Sequence, residues 1–226
     1  MNTIELLNII MANRVADMHI CMPGKIVKYD YKNQRAKVQP ALNQAYNDGE
    51  VVILPIIHNV PVIHPSSGGA SITFPVNIGD TVLLVFSERS LEEWLNVGGE
   101  VSPDDPRQND LTDAIAHLGL NPFSVASSAE NNTDLLIKYD GSKIKLKPSG
   151  VIDINATEAN ITANNVNITG DVDVTGDVTI SGKLTAENVE ATSGLVGQTA
   201  LIGGKDFATH THPGVTSGTG TTGPVT

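Results

Sequence analysis

The chain has 226 residues, 40 % of them hydrophobic and only 4 % aromatic, and a formal net charge of -11. The length accommodates one or two domains, and so few aromatics suit a modest core joined to an elongated part. The acidity argues against nucleic-acid binding, which needs a basic footprint, and against simple electrostatic adhesion to an anionic membrane.

Cys21 is the only cysteine, which leaves no intrachain disulfide, and a small buried thiol is the expected role. The opening residues, MNTIELLNIIMANR, carry no basic segment ahead of the apolar run, and Glu5 interrupts that run. Neither a secretory signal nor a transmembrane helix is expected, and synthesis in a cytoplasm follows. Asn2 and Glu5 resemble a capping pair, and Ile4, Leu7, Met11, Val15 and Met18 follow at helical spacing. This predicts one amphipathic helix from about Thr3 to Met18, packed on a domain or a neighbouring subunit.

Met22 to Gly98 reads as all-β. PGKIVKYDYKNQRAKVQPAL predicts a hairpin, with strands at Ile26–Tyr29 and Ala36–Gln39 around a turn at Asp30–Gln34. VVILPIIHNVPVIHP is broken by Pro55, Pro61 and Pro65, which places it at a sheet edge. TVLLVFSE follows the NIGD turn as a central strand, and SLEEWLNVGG is a short helix. Five or so short strands predict a small closed barrel, with an OB-fold as the commonest candidate. His58 and His64 sit six apart with no acid or cysteine to complete a metal set, so surface or packed imidazoles are expected.

Pro103 to Phe123 reads as a linker with a short helical piece at LTDAIAHL. Asp104, Asp105, Asp110 and Asp113 lack the glycine and distal glutamate of a calcium loop, and solvated caps are expected. LLIKYDGSKIKLKP predicts a hairpin turning at Asp140-Gly141. Alternation begins at Ile152, Ile154 and Ala156, slips around Ala159–Asn165, and then locks.

From Val166 to Glu187 the alternation is unbroken, with Val166, Ile168, Val172, Val174, Val178, Ile180, Leu184 and Ala186 on the apolar face. Gly170, Gly176 and Gly182 recur on that face every sixth residue, in GDVDVT, GDVTIS and GKLTAE. Three hexads make about one coil of a single-chain solenoid, too little to close a core. Three copies sharing an axis would close it, so a trimeric β-prism or triple-stranded β-helix is expected.

The chain ends in small residues around Ala208-Thr209-His210-Thr211-His212-Pro213-Gly214. Histidines at i and i+2 of a strand point to one side. Two imidazoles per chain are too few for a closed metal site, but a three-fold axis makes six. Six nitrogens favour an octahedral ion over tetrahedral zinc.

Taken together, PGKIVKYDYKNQRAKVQP, NIGDTVLLVFSERSLEEW, RQNDLTDAIAHLGLNP, the glycine-valine repeat and HTHPG resemble the membrane-puncturing central spikes of contractile phage tails. The resemblance implies an all-β chain: an N-terminal OB-fold barrel followed by an intertwined trimeric triple-stranded β-helix with a metal-capped apex. The expected segments are an N-terminal helix (1–20), the OB-fold domain (21–100), a linker (101–130), the shaft (131–199) and the apex (200–226). It also implies one iron ion per trimer, held by His210 and His212 of each chain. The implied role is structural and not enzymatic: a spike at the baseplate centre that pierces the host outer membrane when the sheath contracts. Its partners would be two further copies, the baseplate hub and tail tube proteins through the N-terminal region, and the host outer membrane, with no nucleic acid. Its location would be the virion.

A type VI secretion spike or a phage-tail-like bacteriocin spike carries the same features, and a trimeric fibre or adhesin is the more distant alternative. A left-handed β-helix acyltransferase would need more hexads and a histidine within the coils, and 151–200 contains none.

Overall fold

The computed structural model describes residues 2–45, 49–194, 196, 201–202 and 205–206. Helix α1 (Thr3–Ala16) precedes β1 (Cys21–Asp30), β2 (Arg35–Pro40), the short pair β3 (Gln44–Ala45) and β4 (Val51–Val52), and β5 (Ile57–Ile63). The pair β6 (Ser66–Ser67) and β7 (Ala70–Ser71), β8 (Thr81–Phe86), α2 (Glu92–Val97) and β9 (Ala114–Leu118) follow. Then come β10 (Leu135–Tyr139), β11 (Ser142–Leu146), β12 (Ile152–Asn155), β13 (Leu201–Ile202) and β14 (Lys205–Asp206). The chain divides into two units, residues 1–158 and 159–226.

In the first unit, β1, β2, β5, β9 and β8 close into a barrel in that order. Side chains alternate in and out along β2 and β8, and Ile26, Val38, Val60, Val82 and Leu84 fill the interior. Gly24 belongs to this layer. A Cβ there would stand 2.6 Å from Val38 Cγ1 and 2.9 Å from Leu84 Cδ1, so only glycine lets β1 approach so closely. The β1–β2 turn is held by Asp30, whose carboxylate accepts from the Lys32 N–H (3.0 Å) and from Asn33 Nδ2 (2.8 Å).

Several expectations need correction. LTDAIAHL does not form a helix: Ala114–Leu118 is β9, antiparallel to β8 and parallel to β5, and it supplies the fifth barrel strand from within the expected linker. Leu111, Ala114, Ile115 and Leu118 fit helical spacing, but Ala114 and Ala116 also fit the strand period, and two waiting ladder partners decide the matter. The proline-broken segment is not an edge. β5 lies between β2 and β9; Pro61 keeps its pairing with Arg35, and the register shift against β2 falls at His58 and Asn59. Cys21 is exposed and not buried, because Gly24 and Ile26 fix the inward parity of β1 and odd positions face out.

Helix α1 begins with a reciprocal cap, Glu5 N–H to Asn2 Oδ1 at 2.8 Å and Asn2 N–H to Glu5 Oε2 at 2.9 Å. It is not simply amphipathic. Leu6, Ile9 and Ile10 are exposed alongside Ile4, Leu7, Met11 and Val15, so apolar side chains stand on nearly every side. Such a helix needs cover from another molecule or another element. No described helix is long and apolar enough to cross a membrane.

Beyond the barrel, β10, β11 and β12 form a three-stranded antiparallel sheet, and Asp140 takes the left-handed turn position (φ 49°). In the second unit, residues 159–194 contain neither helix nor strand, and β13 pairs with β14.

Candidate functional site

The register of the three-stranded sheet sorts its side chains by chemistry. Leu135, Leu146 and Ile152 form one cross-strand row, and Ile137, Ile144 and Ile154 form the next row on the same face. All six remain 38–67 % exposed in the single chain. Full burial of a Leu or Ile side chain is worth about 1.5–3 kcal/mol, so this face carries a large unspent driving force for association.

The opposite face is charged and internally compensated. Glu130 lies 2.7 Å from Lys145 Nζ and 3.1 Å from Lys143 Nζ, Asp134 lies 3.9 Å from Lys145, and Lys147 meets Asp153 at 2.7 Å. The hydrogen bonds from Lys145 and then Lys143 hold the Glu130 carboxyl at about 2, below its ordinary 4.5. Lys147 likewise holds the Asp153 carboxyl down. A depressed carboxyl stabilises the fold above its unfolded pKa, and that contribution fades as pH falls through the folded value. The thermal stability of this sheet should therefore fall from about pH 5 down to about pH 2. Glu130→Gln should make the pH dependence shallower; an unchanged slope would remove Glu130 from the linkage.

In the second unit the apolar stripe stands uncovered. Val166, Ile168, Val172, Val174, Val178, Ile180 and Leu184 are 50–67 % exposed. Gly170 and Gly176, six residues apart, share nearly one conformation (φ 128° and 130°), so the sequence hexad is also a backbone hexad there. Gly182 lies outside the positive-φ set. Among the described residues, 161–194 form no backbone–backbone hydrogen bond within the chain. Backbone with no ladder of its own, carrying an alternating sequence, is a template for strands from elsewhere.

His210 and His212, with the iron site expected of them, lie outside the described residues. Among the described residues no three His, Cys, Asp or Glu groups cluster tightly enough to hold a metal ion.

The histidines of the barrel are placed differently from one another. His64 is 6 % exposed. Its Nδ1 accepts from the Phe74 N–H at 3.3 Å, which leaves Nε2–H to donate to the Tyr29 hydroxyl at 3.2 Å. It is a packed imidazole. His58 instead lines an open cleft with Lys28, Arg35 and Lys37.

One acid of the loop set is not a solvated cap. Asp113 is 3 % exposed and accepts from Arg107 Nε (2.6 Å), Arg107 Nη2 (3.1 Å) and the Leu91 N–H (2.9 Å). The same guanidinium reaches Asp105 at 2.6 Å, and these carboxylates drive the Arg107 pKa upward. This clamp fastens α2 and the loop to the start of β9. Sequence spacing could not find it, because Arg107 and Asp113 carry no motif and meet only through the loop's path.

Residues 22–119 match the family described as phage protein Gp138 N-terminal domain. The matched stretch runs from β1 through β9 and takes in essentially the whole closed barrel, while residues 120–226 lie outside it. The match supports a phage structural protein of the baseplate type, located in the virion. No curated protein matches the chain.

Proposed function

We propose that the chain is the central spike of a contractile phage tail baseplate, a non-enzymatic homotrimer that pierces the host outer membrane on sheath contraction. The observation that carries this reading is the segment 161–194, whose apolar stripe is exposed and whose backbone has no ladder in its own chain. Three such segments wound together would pair their backbones and bury their stripes at once, leaving no edge to fray. The exposed face of the β10–β11–β12 sheet adds a second apolar surface with the same need. The phage-protein match of the barrel supports the tail setting. Helix α1, exposed and apolar nearly all round, supports attachment of the N-terminal region to hub and tail tube proteins.

At the far end of the sequence, His210 and His212 from three chains would supply six imidazole nitrogens to one iron ion and hold the strand ends together. Light scattering and elemental analysis of protein purified without a histidine tag test the whole reading. The expected result is the mass of three chains and about one iron ion per three chains, the metal being lost and the mass kept when both histidines become alanine. A monomeric mass sinks the spike, and zero or three metals per trimer sinks the six-histidine site.

A further inference from the structure

Strand β2 is flanked on both sides by irregularities at one level. Pairing with β1 slips between Ile26 and Lys28, and pairing with β5 slips where His58 and Asn59 together oppose Lys37. Bulges of this kind re-aim side chains. The result is a row across three strands: Lys28 of β1, Lys37 of β2, and His58 with Asn59 of β5. Arg35 stands two residues before Lys37, on the same outward side of β2. Together with Asp30 and Asn33 these residues border a cleft of about 560 Å³.

The row is costly as it stands. Lys28 and Lys37 are direct cross-strand partners, and like charges directly opposite each other destabilise a sheet. Among the described residues neither has an ion pair. Asn59 adds a local cost at the same place, with a left-handed φ of 61°. The Arg35 guanidinium donates to the carbonyls of Asn33 (3.3 Å) and Gln34 (3.5 Å), and among the described residues to no carboxylate. Asp30, the carboxylate of the lining, already accepts from the Lys32 N–H and from Asn33 Nδ2. The adjoining cleft shares Arg35, His58 and Asn59, but its acids are held by Arg107: Asp113 at 2.6 Å and Glu92 at 3.7 Å.

The cleft is therefore rich in donors and short of acceptors. Lysine and arginine side chains donate and never accept. Two ammonium groups and a guanidinium, with the His58 ring and the Asn59 amide beside them, suit a ligand with several acceptor oxygens and more than one negative charge. An esterified phosphate carries about -1.5 to -2 charge and three acceptor oxygens, whereas a carboxylate offers one charge and two oxygens.

We propose that this cleft binds a phosphate group, free in solution or presented as the monoester headgroup of a lipid. The anion offsets the repulsion between Lys28 and Lys37 and bridges β1 to β2 on their outward side. The cleft lies within the barrel of a single chain, so this inference goes beyond the spike reading and stands apart from it.

Titration of inorganic phosphate into the full chain, followed by the line width of the phosphorus NMR signal, tests the site. Saturable broadening is expected, weakened about ten-fold or more by Lys28→Ala with Lys37→Ala, since each charge-assisted hydrogen bond lost is worth about 1.5–3 kcal/mol. Relief of the like-charge pair should keep the barrel's melting temperature at or above the wild-type value, which separates lost binding from lost folding. Lys25→Ala with Lys138→Ala makes the same change in net charge outside the cleft and should leave the titration unchanged. Sedimentation with phosphatidylcholine vesicles, with and without phosphatidic acid, distinguishes the two sources. Capture only by the phosphatidic acid vesicles, abolished in the Lys28→Ala, Lys37→Ala variant, assigns a lipid headgroup; phosphate binding without capture assigns the free anion. Binding of neither probe, binding that the cleft variant leaves intact, equal weakening by the two double variants, or acetate competing as well as phosphate overturns the proposal.

Discussion

Val174→Asp is expected to leave the chain unable to assemble, running as a monomer in light scattering at micromolar concentration, while Asp173→Val runs at the mass of three chains. Val174 lies on the stripe that the trimeric reading places at a shared axis, and Asp173 is its neighbour on the opposite face. In a trimer the substituted carboxylate would be desolvated three times around one axis, with no cation beside it and with two like charges nearby. The penalty is several kcal/mol for each ion, and repulsion adds to it. Asp173→Val removes a charge from a solvated face, where surface substitutions usually stay within about 0.5 kcal/mol. Equal damage from the two would reverse the faces or dissolve the prism.

A second large effect is expected in the barrel. Leu84 is wholly buried on β8, packed among the side chains of Ile26, Val38, Val60 and Val82, and against the close approach of Gly24. Leu84→Ala removes three carbons and leaves a cavity whose walls belong to a closed ring of strands that cannot collapse inward. The cost should be about 2–5 kcal/mol. For a barrel of this size each kcal/mol lowers the unfolding midpoint by about 4–8 °C, so the barrel transition should fall by about 8 °C or more. Val27→Ala, on the outer side of β1 and exposed, should shift it by only a few degrees. Similar shifts from the two would mean that the interior has been assigned to the wrong parity.

These two experiments probe the parts that the amino-acid order made legible. Local chemistry was enough for the Asn2–Glu5 cap, the hairpin turning at Asp30, the turn at Asp140-Gly141 and the strand over Thr81–Phe86. Each is written within a few residues, by a continuous apolar run, by alternation or by a side chain bonding nearby backbone. The stripe from Val166 to Leu184 was legible for the same reason, and its exposure in the single chain agrees with a face awaiting a partner. His210 and His212 were singled out by their i, i+2 spacing and their place at the end of the repeat; they lie outside the described residues, and the iron site remains part of the proposal.

Only the tertiary structure decided what long-range pairing controls. Ala114–Leu118 is a strand because β5 and β8 offer ladders on both its sides, although its sequence satisfies a helix equally well. The segment around Pro61 lies inside the ring and not at an edge, because closure abolishes edges and Pro61 still pairs with Arg35 of β2. Cys21 faces outward because Gly24 and Ile26 set the parity of β1 from the core side. Arg107 finds Asp113 across a loop whose course no local pattern encodes. Residue type and spacing fix what a segment is able to form, whereas the choice among equal local options passes to whichever one satisfies backbone hydrogen bonds and buries apolar surface in the closed barrel.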